Sequence, residues 1–546
     1  MIFETQGKKF WLDEVMDALF SYLEKNGVSE DQTIICAAGM TPSCPIHFGI
    51  FREIFISYFV CEEIKKRGRK SHLIFYWDDY DHFIKIPYFT TKEKMTEHLG
   101  KPLTEVPDLD GKYPSYGEHY MRIFEENIKM FGIEPEYNYQ TNEYASGKYA
   151  EYIRIAIRKR KEVYDIIHDV IKSKDNDDKI NEFYPVVVYC ENCGKDTTLV
   201  TQYDEENDSV SYKCKSCAFN GVYIIGKNFR GKLIWKVNWA MRWTMDNVLF
   251  ESSGENHLTE TGSYAVASKI ASQIFGSGSA FSLLYRFIGM PGLAKVSRAQ
   301  GEKTLSSRLA HLAEPAIVRW LFVKNSPDKH MTIDLEKGLK RLYSEWDVFI
   351  QNCIKGNACD IDKRIFSYAT ENIPYCDLAI PFTSVIAATG ISCGDREKTA
   401  SMLYKAWKTD IDYEQFKERL FPRFQCAWHA IYTYNMTDDV PILRTANNEI
   451  EKIENIEADP VVFDIVKSLT QKLDSVKTEI EIQELLFNLP KTALNIPPEE
   501  KQNPQVKSLQ KQLYKTLYLL LLGKEEGPRL ATILALMDKT QIKYLL

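Results

Sequence analysis

Apolar and polar positions switch between two periods along this chain, and the switches mark its elements. Thr33–Ala38, "TIICAA", is short, β-branched and apolar, which predicts a buried strand. It feeds "MTPSCPIHFGIFREIF" (Met40–Phe55), where small and polar residues, two prolines, a histidine and a glycine stand directly ahead of an apolar run. That order predicts a loop entering a helix from about Ile50 to Lys66. "SHLIFYWDDYD" (Ser71–Asp81) predicts a second strand ending in acids. Strand, loop, helix, strand is the opening of an α/β sheet, whose ligands sit at the carboxyl ends of the strands. His47 and the Asp78, Asp79 and Asp81 cluster would meet at that edge. The unpaired N–H groups and dipole of the helix start suit an anion.

"YMRIFEENIKMFGIE" and "KYAEYIRIAIRKRKEVYDIIHDVIK" carry a helical period, with a turn between them. A polar, acidic break, "KSKDNDDKINEF", follows. From about Lys340 onward amphipathic helical patterns dominate. "NLPKTALNIPPEEKQNPQ" reads as a proline-bearing connector ahead of a final helical pair.

Cysteine adds a second chemistry between these blocks. Cys190 and Cys193 frame "CENC", Cys214 and Cys217 frame "CKSC", and twenty residues separate the pairs. Each CxxC turn presents two thiolates, and two such turns close a tetrahedral S₄ site, so the segment predicts a structural zinc ribbon. "TTLVTQYD" and "SVSYK" predict hairpin strands inside it, and Gly194 and Gly221 are expected to free the turns just after each knuckle.

Composition limits the remaining classes. The chain has 546 residues, 44% hydrophobic and 27% charged, as in ordinary globular proteins, and its length suggests three to four domains. No apolar run reaches the ~20 residues that span a bilayer. The opening "MIFETQGKKFWLDEV" has early acids and no apolar signal core, so the expectation is a cytoplasmic protein without membrane association. Free thiols or metal ligands then account for the twelve cysteines better than disulfides do. A net charge of −7 does not exclude nucleic acid, since a local patch such as "RIAIRKRK" (Arg154–Lys161) decides that.

Several motifs, in order, resemble the class I lysyl-tRNA synthetases. "GMTPSCPIHFGIFREI" is similar to the family's HIGH region, "PSG-x-x-HIGN-x-RE". "WDDYDHFIKIP" resembles its acidic strand end, and "LGKPLTEVPDLDGKYPSYGEHY" its long loop. "KLIWKVNWAMRW" resembles "W-x-V-D-W-x-x-RW", and "FESSGENHLTETGSY" resembles "FEPFGKDH…GGSY". "AKVSRAQGEK" stands at the KMSKS position, and "LYLLLLGKEEGPRLATILALMD" resembles the C-terminal signature. The likeness runs from about residue 12 to the end and is weakest between about 340 and 500.

The resemblance implies a Rossmann-like parallel-sheet catalytic domain with an inserted zinc ribbon and an all-α C-terminal region. Its expected divisions are 1–183 and 227–300 for the catalytic domain, 184–226 for the ribbon, 301–345 for a stem-contact linker and 346–546 for an anticodon-binding region. It implies ATP-dependent attachment of lysine to tRNA through a lysyl-adenylate, with Mg²⁺ accompanying ATP and Zn²⁺ in the ribbon. The family is mostly monomeric, so a monomer is expected. Carried over residue by residue, His47, Gly49, Lys295 and Arg298 would serve catalysis. Gly39, Thr41, Trp239, His257 and Tyr285 would line the amino-acid site. Basic residues of the all-α region and of Arg154–Lys161 would meet tRNA phosphates.

Departures keep other readings open. Ile50 replaces the asparagine of HIGN and cannot hydrogen-bond ATP. Cys44, Asn238, Asn256, Arg286, Arg298 and Ala299 also differ from the family pattern. A divergent paralogue that binds tRNA or an amino acid with weak or no aminoacylation, or that activates another amino acid outside translation, is the alternative.

Overall fold

A computed structural model of the chain describes residues 1–87, 90, 95–172, 177–296, 301, 303–407, 409–437, 440, 459–476, 478–500 and 503–546. Its strands run β1 (Ile2–Phe3), β2 (Ile34–Met40), β3 (Ser71–Trp77), β4 (Glu136–Tyr139), β5 (Val186–Val188), β6 (Thr198–Asp204), β7 (Ser209–Cys214), β8 (Asn220–Ile224), β9 (Gly231–Leu233), β10 (Val248–Gly254) and β11 (Phe281–Tyr285). Six of them form one sheet in the order β1-β11-β10-β2-β3-β4. Every neighbouring pair in it is parallel. The chain leaves β2 toward β3 and β4 on one side and returns through β10 and β11 on the other. The order therefore reverses between β2 and β10, where an open parallel sheet leaves a crevice beyond its strand ends.

Helix α1 (Trp11–Lys25) and helix α2 (Phe51–Lys66) cover this sheet. α2 follows β2 through a single 3₁₀ turn, Phe48–Ile50. Eleven of its sixteen residues are buried, so it is a core helix and not an amphipathic surface one. Phe55 stacks on Phe322 at 4.4 Å, and Phe51 meets Phe131 edge-on at 5.4 Å. Buried Arg52 donates to the carbonyls of Ser326, Pro327 and Lys329 at 2.8, 3.1 and 2.7 Å. That anchor fixes the rotation of the first turn and directs the next residue, Glu53, the other way.

The expected helix over 148–172 divides at Lys159 into Ala150–Arg158 and Arg160–Ile171. β6, β7 and β8 form an antiparallel meander, and β5 pairs with β9 beneath it. The described residues divide into two compact units, one of 1–310, 318–334 and 367–371, the other of 311–317, 335–366 and 372–546.

The second unit is helical. Arg423 is wholly buried there and bonds Glu314 and Asp347, each at 2.7 Å. Its C-terminal helices enclose an apolar core that includes Leu469, Leu486, Leu513 and Ile533. The proline connector is shorter than the sequence suggests. Helix Glu479–Ala493 runs through Pro490, held by a Thr478–Glu481 capping box and by burial of Leu486, Leu489 and Pro490. Three helices follow instead of two: Pro504–Leu522, Leu530–Leu536 and Lys539–Leu545. Among the described residues no helix is long and apolar enough to cross a membrane.

Candidate active site

The crevice at the strand ends holds a cavity of about 430 Å³. β2 contributes Gly39 and Met40, and the loop after it contributes Thr41, His47, Gly49 and Ile50. Glu53 enters from α2, Asp78 and Asp81 from the end of β3, and Trp235 from the helix Trp235–Met245. Asn256 and His257 follow β10, Tyr285 ends β11, and Lys295 and Val296 close the far side.

Glu53 stands at the junction of both halves of the sheet. One carboxyl oxygen accepts from the Gly39 N–H at 3.0 Å, the other from the Tyr285 hydroxyl at 2.8 Å. Gly39 is required here by close approach: a Cβ would stand 2.8 Å from the Tyr76 carbonyl oxygen. Burial pushes the Glu53 carboxyl up to about 7, against the pull of the Gly39 hydrogen bond.

The other acids of the wall already have cations. Asp78 accepts from Arg242 at 2.9 Å, and Asp81 pairs with Lys232. Thr41 donates to the second oxygen of Asp81 at 2.8 Å. Asp79 points away, accepting from the Thr141 N–H at 3.0 Å, and does not line the cavity. Among the described residues, Glu53 is thus the lining carboxyl with no ion-pair partner. A cationic ligand finds its counter-charge there.

Most of the residues singled out from the sequence meet in this cavity: Gly39, Thr41, His47, Gly49, His257, Tyr285 and Lys295. Trp239 does not. It is 3% exposed, and its indole N–H donates to Glu251 at 2.8 Å. Trp235, one helical turn earlier, takes the wall. It is 39% exposed and stacks on Trp239 at 5.1 Å. The two tryptophans share one helix face, so spacing alone does not say which is outermost. Arg298 and Ala299 lie outside the described residues. Asn238 also faces away from the cavity, its carbonyl accepting from Tyr144 at 2.6 Å. Arg286 pairs with Glu255 and Glu4, each at 2.7 Å. Glu53 and Trp235 were not singled out, although the "RE" after HIGH and the first tryptophan of "W-x-V" carried the signal.

The two loops flanking the cavity touch each other. A Cβ on Gly49 would fall 2.7 Å from Val296 Cγ2 and 2.8 Å from His47 Nδ1. Glycine is therefore needed by the protein's own packing at this point. Lys295 rests its ammonium 3.5 Å over the Phe287 ring. His257 is held below the usual histidine value, first by burial and then by Lys295.

In the ribbon, the sulfurs of Cys190 and Cys217, and of Cys193 and Cys214, lie 3.6 Å apart. All four lie within 4.8 Å of one another. A tetrahedron with Zn–S near 2.3 Å has edges of about 3.8 Å, so the donor set fits zinc. Gly194 takes the expected positive φ of 74°. After the second knuckle it is Ala218, at φ 60°, that turns the chain. Gly221 lies in β8, where a Cβ would meet the Tyr212 ring at 2.5 Å, so packing requires glycine there. The basic run is largely engaged within the protein. Arg154 pairs with Asp208 and Arg158 with Glu205, while Arg160 donates to the Ile180 and Phe183 carbonyls.

A family model described as tRNA synthetases class I (K) matches residues 9–372. The lysine–tRNA ligase of Streptomyces coelicolor is 28% identical over 577 aligned residues, covering 98% of each chain. Those of Pyrococcus horikoshii and Thermococcus kodakarensis are 30% identical, covering 97% of this chain and 98% and 97% of theirs.

Proposed function

Because this chain belongs to the class I (K) tRNA synthetases, we propose that it activates lysine with ATP in the switch-point cavity and transfers it to tRNA. The observation that carries the reading is Glu53, a carboxyl set deep in the cavity and lacking a cation among the described residues. The ε-ammonium of lysine supplies that cation. Tyr285 and Gly39 hold the carboxylate, while Trp235 and His257 flank the apolar stem of the substrate.

Activation is an in-line attack of the substrate carboxylate on the α-phosphate of ATP. The P–O bond to pyrophosphate breaks as the new one forms. The protein's task is to align two anions and stabilise charge as it moves onto the leaving group. His47 donates to the phosphates from the α2 side, and Lys295 approaches from the opposite loop. The contact between Gly49 and Val296 keeps those loops in register. Lys295 leaves the Phe287 face for the stronger charge of the phosphates. Arg298, three positions later in the sequence, would add a second positive charge for the phosphates.

Mg²⁺ bound to ATP would shield the charge of its phosphates. Asp78 and Asp81 are engaged by Arg242 and Lys232, and among the described residues the ribbon cysteines are the one cluster of three or more metal-ligating side chains. Zn²⁺ would be held by those four cysteines in a closed site with a structural role. The helical unit, 346–546 in the main, is the candidate surface for the anticodon arm of tRNA.

Ile50 favours a second reading. It stands in the cavity wall with a side chain that can form no hydrogen bond to ATP, and a protein that binds lysine or tRNA with weak activation would tolerate it. Lysine-dependent ATP–pyrophosphate exchange separates the two. Robust exchange that Glu53→Gln abolishes supports ligation, and lysine binding without exchange supports the second reading. Exchange with a different amino acid overturns lysine as the substrate.

A further inference from the structure

Two side chains at the neck of the cysteine ribbon reach the acidic loop of the cavity. β5 and β9 pair antiparallel and close the base of the ribbon, with Val187 opposite Lys232. Tyr189 follows β5 and immediately precedes Cys190. Its hydroxyl donates to the Tyr80 carbonyl at 2.5 Å, and the two rings lie 5.0 Å apart. Lys232, on the other arm of the neck, pairs with Asp81. Tyr80 and Asp81 are consecutive, so the neck grips one dipeptide from both of its arms.

The grip is tied at both ends. On the ribbon side, the Tyr223 hydroxyl donates to the Tyr189 carbonyl at 2.7 Å, and the Tyr212 hydroxyl accepts from the N–H of Glu191 at 2.8 Å. On the cavity side, Asp81 accepts from Thr41, and its backbone carbonyl accepts from Leu103 N–H at 2.8 Å. None of the four cysteines lines the cavity. The ribbon reaches the cavity loop through this neck, beside a second contact in which Asp196 pairs with His82 at 3.0 Å.

We propose that Tyr189 and Lys232 are positioning residues for the amino-acid half of the cavity, carrying the order of the Cys₄ ribbon to the Tyr80–Asp81 loop. The proposal deepens the lysine reading and rests on it for the kinetic consequence. The charge logic is direct. Asp81 without Lys232 would be a second carboxylate in the wall without a cation, competing with Glu53 for the substrate's ammonium and releasing Thr41. Lys232 cancels that charge and leaves Glu53 as the point of attraction. ATP is assigned instead to the His47 and Lys295 loops, so its KM is the internal control.

The test uses full-length Lys232→Met, Lys232→Arg and Tyr189→Phe, with zinc content measured for each. Lys232→Met is expected to raise the KM for lysine roughly tenfold in pyrophosphate exchange, with the KM for ATP within about twofold. Lys232→Arg keeps the ion pair and is expected to recover to within about threefold of the wild type. Tyr189→Phe removes one hydroxyl, leaves the core packed if Lys232→Met fails to fold, and is expected to raise the lysine KM about threefold. Hydrogen exchange reads the same loop without substrate. The amides of Asp78, Asp81 and Leu103 are expected to exchange faster in Lys232→Met, in Tyr189→Phe and in zinc-stripped wild type, while β10 and β11 amides hold. Unchanged exchange at those three amides, or a KM for ATP that rises in step with that for lysine, overturns the proposal. Loosened amides in a wild type that activates no lysine sink the lysine reading and leave the positioning role standing.

Discussion

Tyr285 and Glu53 meet at 2.8 Å although 232 residues separate them in the chain. The tyrosine ends β11 and the glutamate opens α2, so the contact joins the two halves of the sheet across its switch point. Removing the charge tests its role. Glu53→Gln is expected to lower kcat/KM for lysine by the 2–5 kcal/mol that a broken buried charge pair costs, roughly 30- to 4,000-fold. Steady-state pyrophosphate exchange measures it. A change below about threefold would sink the assignment of Glu53 as the ammonium ligand.

The same carboxyl sets a pH dependence. Burial raises Glu53 from 4.5 to about 7 in the free protein, so at lower pH the group that receives the ammonium is protonated. The KM for lysine should fall about tenfold per unit as pH rises toward 7 and flatten above it. Stability responds with the opposite sense. A folded value above the unfolded one means stability is lost as pH rises from 4.5 to about 7. Bound lysine counters that loss, so the rise in Tm on adding lysine should be larger at pH 8 than at pH 5.

Ile50 offers a gain-of-function test. Ile50→Asn returns a donor and an acceptor to the cavity wall beside His47 and is expected to lower the KM for ATP by about 2- to 10-fold, the worth of one net hydrogen bond. An unchanged KM for ATP would mean that the wall at this point does not touch the nucleotide.

Gly49 is constrained by its neighbours. In Gly49→Ala the new methyl carbon meets Val296 at 2.7 Å and His47 at 2.8 Å. The two loops must part, at about 1–3 kcal/mol. Exchange rates should drop at least tenfold while Tm shifts by only a few degrees. Wild-type kinetics in this variant would show that the loops need not touch.

The ribbon should be metal-dependent. Cys217→Ser, or a strong chelator, is expected to release one zinc per chain and speed amide exchange in β6, β7 and β8. Metal release followed with a chromophoric chelator gives the stoichiometry. Retention of zinc by Cys217→Ser would exclude Cys217 as a ligand.

Local pattern alone located the β2–α2 loop, the acidic end of β3, both cysteine knuckles and the helical character of the second half. These depend on short-range rules: strand period, a glycine beside a helix start, and two thiolates on one turn. Ordered motifs along the chain also identified the family, because motif order survives where individual residues drift. Short-range rules gave out where the relevant neighbour was distant. They favoured Trp239 over Trp235, one turn apart on the same helix, because which indole is outermost depends on Glu251 behind it. They read Gly221 as a turn residue, whereas the ring of Tyr212 demands it and Ala218 makes the turn.

The elements, the two cysteine knuckles and the family were thus legible in the residues alone. The charge balance of the cavity was not, because it is set by contacts between distant parts of the chain. Asp78 and Asp81 carry the same side chain as any solvated strand end, and nothing in their spacing pairs them with Arg242 and Lys232, more than 150 residues away. Glu53 looks like an ordinary first-turn helix acid until Arg52 turns it inward and Tyr285 closes over it. Whether a carboxylate is neutralised or left to seek a cation depends on which charges lie within a few ångströms, and for this chain that distance is set by how the sheet folds back on itself between β2 and β10.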